Sequence, residues 1–287
     1  MNVLTGKSVV TALAAQFKQD ITALANANII PKLVIIRVGE REDDISYERG
    51  LMKRFTDMGA LAEVSQFPVD IPQAVLEASV SQMNQDKSVH GILVFRPLPK
   101  PLREERLRNL ITPAKDVDCL SSENLIHLFS GDGQGYPPCT PQAVIELLDH
   151  YQINVSGKRV TIIGRSLVVG KPLAMLLLAR HATICICHTR TADLAAESRR
   201  ADILIACAGS AKIIKPDFTH PGQIVIDVGI NLCDGKLCGD VDYSSVADQV
   251  KAITPVPGGI GVITTSVLFK HTLISAMAGL ASEIDKG

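Results

Sequence analysis

The chain of 287 residues is 46% hydrophobic, has a formal net charge of −1 and contains no tryptophan, a composition typical of a soluble globular protein with one or two cores. This balanced charge provides no basic field for phosphate backbones, so nucleic acid is not an expected partner. The seven cysteines include no CxxC pair and no Cys–His pair at zinc-ligand spacing, which argues against disulfides and a metal site and predicts a reducing, cytoplasmic compartment.

No segment is predicted to enter a membrane. The longest uncharged apolar run, "PLAMLLLA" at 172–179, is far shorter than the roughly 20 residues of a bilayer span. The first twenty residues include Lys7, Lys18 and Asp20 and have no continuous apolar core. We therefore expect neither secretion nor membrane insertion.

In chain order, the sequence first predicts three strands separated by two helices. The strands are short β-branched runs at 32–38, 62–67 and 91–95. The first helix contains Tyr47, and the second covers 72–85. Alternation of this kind is typical of a parallel sheet with crossover helices.

A second series begins near Pro141 with a predicted helix at 141–151. Four strands follow, at 159–164, 182–187, 202–207 and 223–229. The segment at 130–141, "SGDGQGYPPCTP", is rich in Gly and Pro and is the natural domain boundary. A last helical pattern at 266–281 is expected to pack back on the first domain. The chain is therefore predicted to be an α/β protein of two domains.

The turn after the strand at 159–164 has features of a phosphate-binding loop. The sequence "VTIIGRSLVVGKPLAMLLL" leads from an apolar strand through a turn bracketed by Gly164 and Gly170 into a helix with Pro172 in its first turn. The N-terminus of that helix offers free N–H groups to phosphate. Because the pattern is GxxxxxG and not GxGxxG, the loop alone is equally consistent with an ordinary strand-to-helix turn.

The following strand favours NADP over NAD. NAD sites usually have a carboxylate after the second strand, whereas "CICHTRT" provides His188, Thr189 and Arg190. Arg165 and Arg190 together can bind the 2′-phosphate of NADP through charge-assisted hydrogen bonds, each worth roughly 1.5 to 3 kcal/mol. The alternative for Arg190 is a solvated loop arginine.

Seven segments stand out along the chain: "GILVFRPLP" (91–99), "PAKDVD" (113–118), "PPCTP" (137–141), "GRSLVVGKP" (164–172), "VIDVGIN" (225–231), "GDVD" (239–242) and "TPVPGGIG" (254–261). Taken together and in this order, they closely resemble one family, the methylenetetrahydrofolate dehydrogenase/methenyltetrahydrofolate cyclohydrolase family. The resemblance implies a folate-binding domain at 1–138 and 265–287 and a Rossmann-like NADP-binding domain with a parallel sheet at 139–264. It also implies a folate cleft between the domains and a homodimer.

The resemblance assigns site residues to positions in this chain. Tyr47 matches the tyrosine that stacks on the pterin, and Asp118 matches the aspartate that hydrogen-bonds the pterin ring, so both are the predicted catalytic residues. The segment "PVPGG" matches the part that closes over the substrate, with Pro257, Gly258, Gly259 and Thr264 as predicted contacts. The predicted cofactor residues are Gly164, Arg165, Ser166, Gly170, Thr189, Arg190 and Ile230. Tyr47 as a packing residue and Asp118 as a helix N-cap are the alternatives.

The chain departs from the family at a catalytic pair. Leu51 occupies the position of the family's lysine, and Phe95 occupies that of the glutamine that hydrogen-bonds it. Lys53 cannot simply substitute for the lysine, because two residues along a helix are about 200° of rotation. Arg96 stands where the family has a leucine, and Cys119 replaces a glycine after Asp118; a buried, unreactive thiol is the commoner outcome for such a cysteine.

These departures predict unequal effects on the family's two reactions. Hydride transfer from methylenetetrahydrofolate to NADP mainly requires two aligned rings. Hydrolysis of the methenyl product requires an activated water and proton exchange, which Leu51 cannot provide. The hypothesis is an NADP-dependent dehydrogenase with lost or weak cyclohydrolase activity. Two alternatives are a fully bifunctional enzyme that recruits Asp44 or Lys53, and a folate- or nucleotide-binding protein with altered substrate or no turnover.

Overall fold

The computed structural model describes residues 2–233 and 235–284, with side chains described up to residue 281. Contacts divide the chain into two compact units. The six-stranded unit consists of Met1–Ala12 and Pro138–Val267, and the three-stranded unit consists of Leu13–Pro137 and Leu268–Gly287. The helices are α1 (Gly6–Asn26), α2 (Glu42–Asp57), α3 (Gln73–Gln85), α4 (Glu104–Arg108), α5 (Ser122–Ser130), α6 (Cys139–His150), α7 (Gly170–Ala179), α8 (Leu194–Arg199), α9 (Tyr243–Val246) and α10 (Ile260–Ile284).

The strands form two parallel sheets and one antiparallel hairpin within the described residues. The three-stranded sheet has the order β3-β2-β4, and the six-stranded sheet has the order β1-β11-β8-β7-β5-β6, where β9 and β10 form the hairpin. The strands are β1 (Asn2–Val3), β2 (Lys32–Val38), β3 (Leu61–Phe67), β4 (Gly91–Val94), β5 (Arg159–Ile163), β6 (Thr183–Cys187), β7 (Ile203–Ala206), β8 (Ile224–Asp227), β9 (Asn231–Cys233), β10 (Lys236–Cys238) and β11 (Ala252–Ile253). The predicted α/β fold and all seven predicted strands are confirmed, to within one or two residues at their ends.

Strands β2 and β4 of the three-stranded sheet are buried on both faces, which explains their continuous apolar sequences, whereas no residue of the edge strand β3 is buried. Six of the seven residues of β2 are buried, and so are all four of β4. One core cluster combines residues of these strands with Leu76 of α3 and Leu107 of α4. Because all three strands are parallel, their carboxyl ends, and the loops that follow them, lie at one edge of the sheet.

The C-terminal part of α10, from Leu268 onward, belongs to the three-stranded unit. Phe269 is fully buried, with ring centroids 5.4 Å from Phe17 and 5.2 Å from Phe55. The helix begins at Ile260, six residues before the predicted start, because Ile260, Ile263 and Val267 continue the helical spacing of buried residues.

Within the described residues, α10 is also the helix that is long and apolar enough to cross a membrane, judged by length and composition only. More than half of its most apolar stretch, 56%, is buried inside the protein. A core helix of a soluble protein has the same properties, so this helix is weak evidence for a membrane span.

The N-terminal residues join the six-stranded unit, where the predicted division had placed them with the folate-binding domain. Asn2 pairs with Ala252 and Val3 pairs with Ile253, so β1 extends the six-stranded sheet as a parallel edge strand. Pairing between residues so distant in the chain leaves no local pattern in the sequence, so nothing in the sequence near residues 2 and 3 indicates it. The assignment of functions to the two domains stays a prediction at this point.

Candidate active site

Helix α2 presents a stripe of side chains near the carboxyl end of β2. Asp44, Tyr47, Leu51 and Phe55 are spaced three, four and four residues apart, so they lie on one helix face. Leu51 and Phe55 are fully buried, whereas Tyr47 is 41% exposed. The ring of Tyr47 lies 5.6 Å from that of Phe95, centroid to centroid. Tyr47 is therefore anchored on an aromatic neighbour and still exposes ring surface for stacking.

The resemblance assigns Leu51 and Phe95 to the positions of the family's lysine and glutamine, and both side chains are buried. Leu51 has no exposed surface, and Phe95 is 7% exposed. Lys53 does not replace the lysine, because its side chain is 77% exposed and its Nζ forms an ion pair with Asp57 at 2.9 Å. The predicted rotation of Lys53 away from Leu51 agrees with this exposure.

A buried ion pair holds α2 against β2 next to Tyr47. Nε of Arg37 lies 2.7 Å from Oε2 of Glu48, and both side chains are mostly buried. The Asp44 side chain is 16% exposed, and burial is the main cause of a raised pKa for its carboxyl group. Asp44 is therefore a group near Tyr47 that can hold and release a proton.

The two aspartates of "KDVD" have different environments. Asp116 is buried and accepts backbone hydrogen bonds from Leu120 and Ser121, both at 2.7 Å. Asp118 is a quarter exposed and lies 3.4 Å from Nη2 of Arg96. The N-cap of α5 is Ser121, whose hydroxyl accepts from the Asn124 N–H, so the N-cap interpretation of Asp118 is wrong. Asp116 supports the turn, and Asp118 stays accessible.

Cys119 has a backbone conformation that glycine adopts more easily than other residues. Its φ of +58° lies in the left-handed region, which disfavours side chains with a Cβ. The thiol is buried, and burial raises its pKa well above the usual range. An inert buried cysteine, the expected outcome, fits these values.

In the turn between β5 and α7, the backbone leaves no room for a side chain at Gly164 or Gly170. Gly164 has φ +133°, and a Cβ there would lie 2.3 Å from the carbonyl oxygen of Cys207. A Cβ on Gly170 would lie 2.1 Å from the carbonyl oxygen of Gly164. Ser166 closes the turn by accepting the Val169 N–H at 3.0 Å. The turn leads into α7 and leaves Arg165 and Ser166 exposed.

Register brings the two predicted phosphate-binding arginines to one edge of the sheet. Strands β5 and β6 are hydrogen-bonded neighbours, with Ile163 paired to Cys187 at their ends. Arg165 follows the first strand by two residues and Arg190 follows the second by three. Thr189 and Arg190 are exposed in this loop. Adjacent strands are about 4.8 Å apart, so both arginines reach the same region.

Two buried aspartates that the sequence analysis did not assign shape the rest of this edge. Asp240 accepts backbone N–H groups of the loop after β7, from Ala208 at 2.6 Å, Gly209 at 3.0 Å and Ser210 at 2.9 Å. Asp227 accepts from Gly229, Asp240 and Val241, at 3.0, 3.0 and 2.9 Å.

Burial raises the pKa of Asp227 to about 6. Glycines in "VIDVGIN" and "GDVD" were the available signal for the pair: a Cβ on Gly229 would lie 2.3 Å from Asp240, and one on Gly239 would lie 1.8 Å from Asp227. The predicted cofactor residue Ile230 follows Gly229 and is 63% exposed.

The segment "PVPGG" leads directly into α10. Gly258 has φ +103°, and its carbonyl oxygen accepts the Gly6 N–H at 2.8 Å. A Cβ on Gly259 would lie 2.5 Å from the carbonyl oxygen of Pro255. The Thr264 hydroxyl donates to the carbonyl oxygen of Ile260 at 3.4 Å. Contact of these residues and of Pro257 with a substrate stays a prediction.

Two family models match the chain. Residues 4–118 match the catalytic domain of tetrahydrofolate dehydrogenase/cyclohydrolase, and residues 138–279 match its NAD(P)-binding domain. The chain belongs to this family. The family predicted from the seven segments is thereby confirmed, and so is the Rossmann-like, NAD(P)-binding character of the second domain. The roles of the individual residues in this dehydrogenase/cyclohydrolase homologue stay predictions.

Relatives of the tetrahydrofolate dehydrogenase/cyclohydrolase family are similar over nearly the whole chain. The bifunctional protein FolD of Clostridioides difficile (strain 630) is 48% identical over 272 residues, which cover 94% of this chain and 95% of the relative. The crystal structure of the bifunctional enzyme FolD from Campylobacter jejuni matches with a TM-score of 0.94 and 37% identity, covering 97% of this chain and 99% of the other. The Trypanosoma brucei enzyme, complexed with NADP and an inhibitor, matches with a TM-score of 0.91 and 31% identity, covering 97% and 98%.

Proposed function

We propose that this protein is an NADP-dependent methylenetetrahydrofolate dehydrogenase of one-carbon metabolism whose methenyltetrahydrofolate cyclohydrolase activity is lost or weak. The observation behind the second part is the complete burial of Leu51, beside the nearly buried Phe95, at the positions of the family's lysine and glutamine. The first part rests on family membership and on Tyr47 and Asp118.

The dehydrogenase reaction requires little acid–base catalysis by protein side chains. A hydride passes from the one-carbon bridge to the nicotinamide ring of NADP, and the folate nitrogens stabilise the cation that develops. The contribution of this chain is to orient the substrate. The exposed ring of Tyr47 offers a stacking surface for the pterin, and the accessible Asp118 carboxylate offers a hydrogen-bond acceptor.

The cyclohydrolase reaction requires a water molecule that a protein group positions and activates. A general acid or base typically contributes about 10²- to 10⁴-fold to such a step. Leu51 can neither exchange a proton nor hold a water through a hydrogen bond, and Phe95 removes the second polar group. Hydrolysis is therefore expected to proceed slowly at this site.

The preference for NADP is supported by Arg165 and Arg190. Both are exposed on loops that leave the same edge of the sheet, and the loop after β6 has no carboxylate at 188–190 to repel a phosphate. The Trypanosoma brucei relative is itself complexed with NADP.

A fully bifunctional enzyme is the second candidate. Relatives such as the Clostridioides difficile protein are named bifunctional. Asp44 is the group that favours this candidate, since burial raises the pKa of its carboxyl group and it shares a helix face with Tyr47. Lys53 is disfavoured by its exposure and its ion pair with Asp57.

The deciding experiment follows NADPH and the methenyl product separately, by absorbance, with methylenetetrahydrofolate and NADP. NADPH and methenyl product that rise together, with the methenyl product decaying only at the rate of protein-free buffer, would support the proposal. Faster decay that Asp44→Asn abolishes would establish the bifunctional alternative. No NADPH under conditions where both ligands bind would contradict the proposal and favour a binding protein without turnover.

The family resemblance also supports a cytoplasmic homodimer. Sedimentation equilibrium is expected to give twice the mass of one chain, and a single-chain mass at micromolar concentration would contradict this.

A further inference from the structure

Arg96 connects Asp118 to a second carboxylate. It lies two residues after β4, and its two terminal nitrogens face different partners. Nη2 lies 3.4 Å from Oδ2 of Asp118, and Nη1 lies 3.5 Å from Oε1 of Glu104 at the start of α4. The guanidinium therefore bridges an accessible site residue and a helix of the scaffold.

The three side chains of this bridge are partly buried, unlike those of a typical surface ion pair. The side chains of Arg96, Asp118 and Glu104 are 20%, 25% and 27% exposed, so all three are partly shielded from water and salt. A planar guanidinium can direct separate N–H groups at two carboxylates, which a lysine ammonium does less well. A leucine here, as in the family, would leave the two carboxylates without the cation that this chain places between them.

We propose that Arg96 is a positioning residue that fixes the orientation of the Asp118 carboxylate for the substrate, and that Glu104 in turn orients Arg96. This inference rests on the proposed function, in which Asp118 binds the pterin ring. The ion pair with Arg96 fixes the carboxylate of Asp118. The hydrogen bonds of Asp116 to the N–H groups of Leu120 and Ser121 fix the turn that contains its backbone. An acceptor held in place loses less rotamer freedom on binding, so preorganisation is expected to strengthen substrate binding more than it accelerates hydride transfer.

The test measures tetrahydrofolate binding by isothermal titration calorimetry without NADP, together with kcat and KM of the dehydrogenase. Arg96→Leu is expected to weaken binding and raise KM about fivefold, with kcat within about twofold. Arg96→Lys is expected to bind tetrahydrofolate more tightly than Arg96→Leu but less tightly than the wild type. Glu104→Gln is expected to weaken tetrahydrofolate binding about twofold. Arg103→Leu and Glu105→Gln make the same chemical changes at exposed neighbouring positions and are expected to bind like the wild type.

An Asp118→Asn background separates positioning from general damage. If Arg96 acts through Asp118, Arg96→Leu has little further effect once Asp118→Asn is present, whereas independent structural effects would add. Equal losses in both backgrounds, or an unchanged KM in Arg96→Leu, would overturn the inference while leaving the proposed function intact. An Asp118→Asn variant that binds tetrahydrofolate like the wild type would overturn both the assignment of Asp118 and the inference built on it.

Discussion

The ring of Tyr47 packs against the ring of Phe95 with 5.6 Å between centroids and 37° between ring planes. The family resemblance places Phe95 at the position of a glutamine and Leu51, one helical turn after Tyr47, at that of a lysine. On this assignment, two apolar residues, both buried, stand in place of two polar partners. Replacing both partners avoids the cost of about 1 to 3 kcal/mol for one unsatisfied buried polar group.

Restoring both residues tests whether their loss limits hydrolysis. The double variant Leu51→Lys/Phe95→Gln is expected to raise methenyl hydrolysis by about 10²-fold or more over the wild type, because it supplies an acid/base group and its hydrogen-bond partner. The measurement is the decay of methenyltetrahydrofolate absorbance against protein-free buffer. Unchanged decay in a folded double variant would show that other features of the site prevent hydrolysis.

The single variants serve as the control for that experiment. Leu51→Lys alone places an ammonium in a fully buried apolar position and is expected to lower the free energy of unfolding by about 3 to 5 kcal/mol. The double variant is expected to be more stable than this single variant, since the introduced glutamine would accept a hydrogen bond from the introduced lysine. Urea unfolding compares the two, and equal stabilities would argue against a restored pair.

Removing the loop arginines tests the cofactor preference. Arg190→Ala and Arg165→Ala are each expected to raise KM for NADP about tenfold or more and to leave KM for NAD nearly unchanged, because the lost hydrogen bonds go to the 2′-phosphate alone. Arg200→Ala, at the end of α8 in the same unit, is the matched control. If NADP preference persists in both variants, the argument from the two arginines fails.

The buried carboxyl of Asp227 predicts a pH dependence of stability. Its folded pKa of about 6 lies above the ordinary 3.8, so the folded state holds this proton where the unfolded state has released it. The protonated Asp227 carboxyl therefore makes its full contribution to the free energy of unfolding below about pH 4, and this contribution is lost as pH rises to about 6. The shift corresponds to about 3 kcal/mol at 1.36 kcal/mol per pKa unit.

Comparison with Asp227→Asn isolates this contribution. The wild type is expected to exceed the variant in free energy of unfolding by about 3 kcal/mol more at pH 3 than at pH 7. An advantage that grows as pH rises would mean that the three backbone N–H groups outweigh burial and keep the carboxylate ionised.

Gln152, which follows α6, predicts a stabilising substitution. It is exposed with φ +55°, and Ile153 donates to the carbonyl oxygen of Leu148, the pattern of a helix end that favours glycine. Gln152→Gly is expected to raise the free energy of unfolding by about 0.5 to 1 kcal/mol, because it relieves the left-handed strain of a residue with a Cβ. Gln152→Ala keeps the Cβ and is expected to be nearly neutral; equal effects of the two would contradict the explanation.

Local pattern in the sequence determined much of this protein. Apolar β-branched runs predicted seven strands, and glycines 164 and 170 predicted a tight turn between β5 and α7, in which a Cβ on Gly170 would collide with the carbonyl oxygen of Gly164. These features depend on neighbours within one element, where burial and backbone geometry dictate residue type directly. The family resemblance added the candidate site, because its motifs stand in order along the chain.

Only the tertiary structure decided which partners those residues have. The pairing of β1 with β11, the bridge from Arg96 to Glu104 and Asp118, and the backbone contacts of Asp227 and Asp240 join residues of different elements and loops. The tertiary structure also decided the N-cap of α5, which is Ser121 and not Asp118. A side chain's partner is set by how distant elements pack and by which buried polar groups need hydrogen bonds, and neither leaves a periodic signal along the chain.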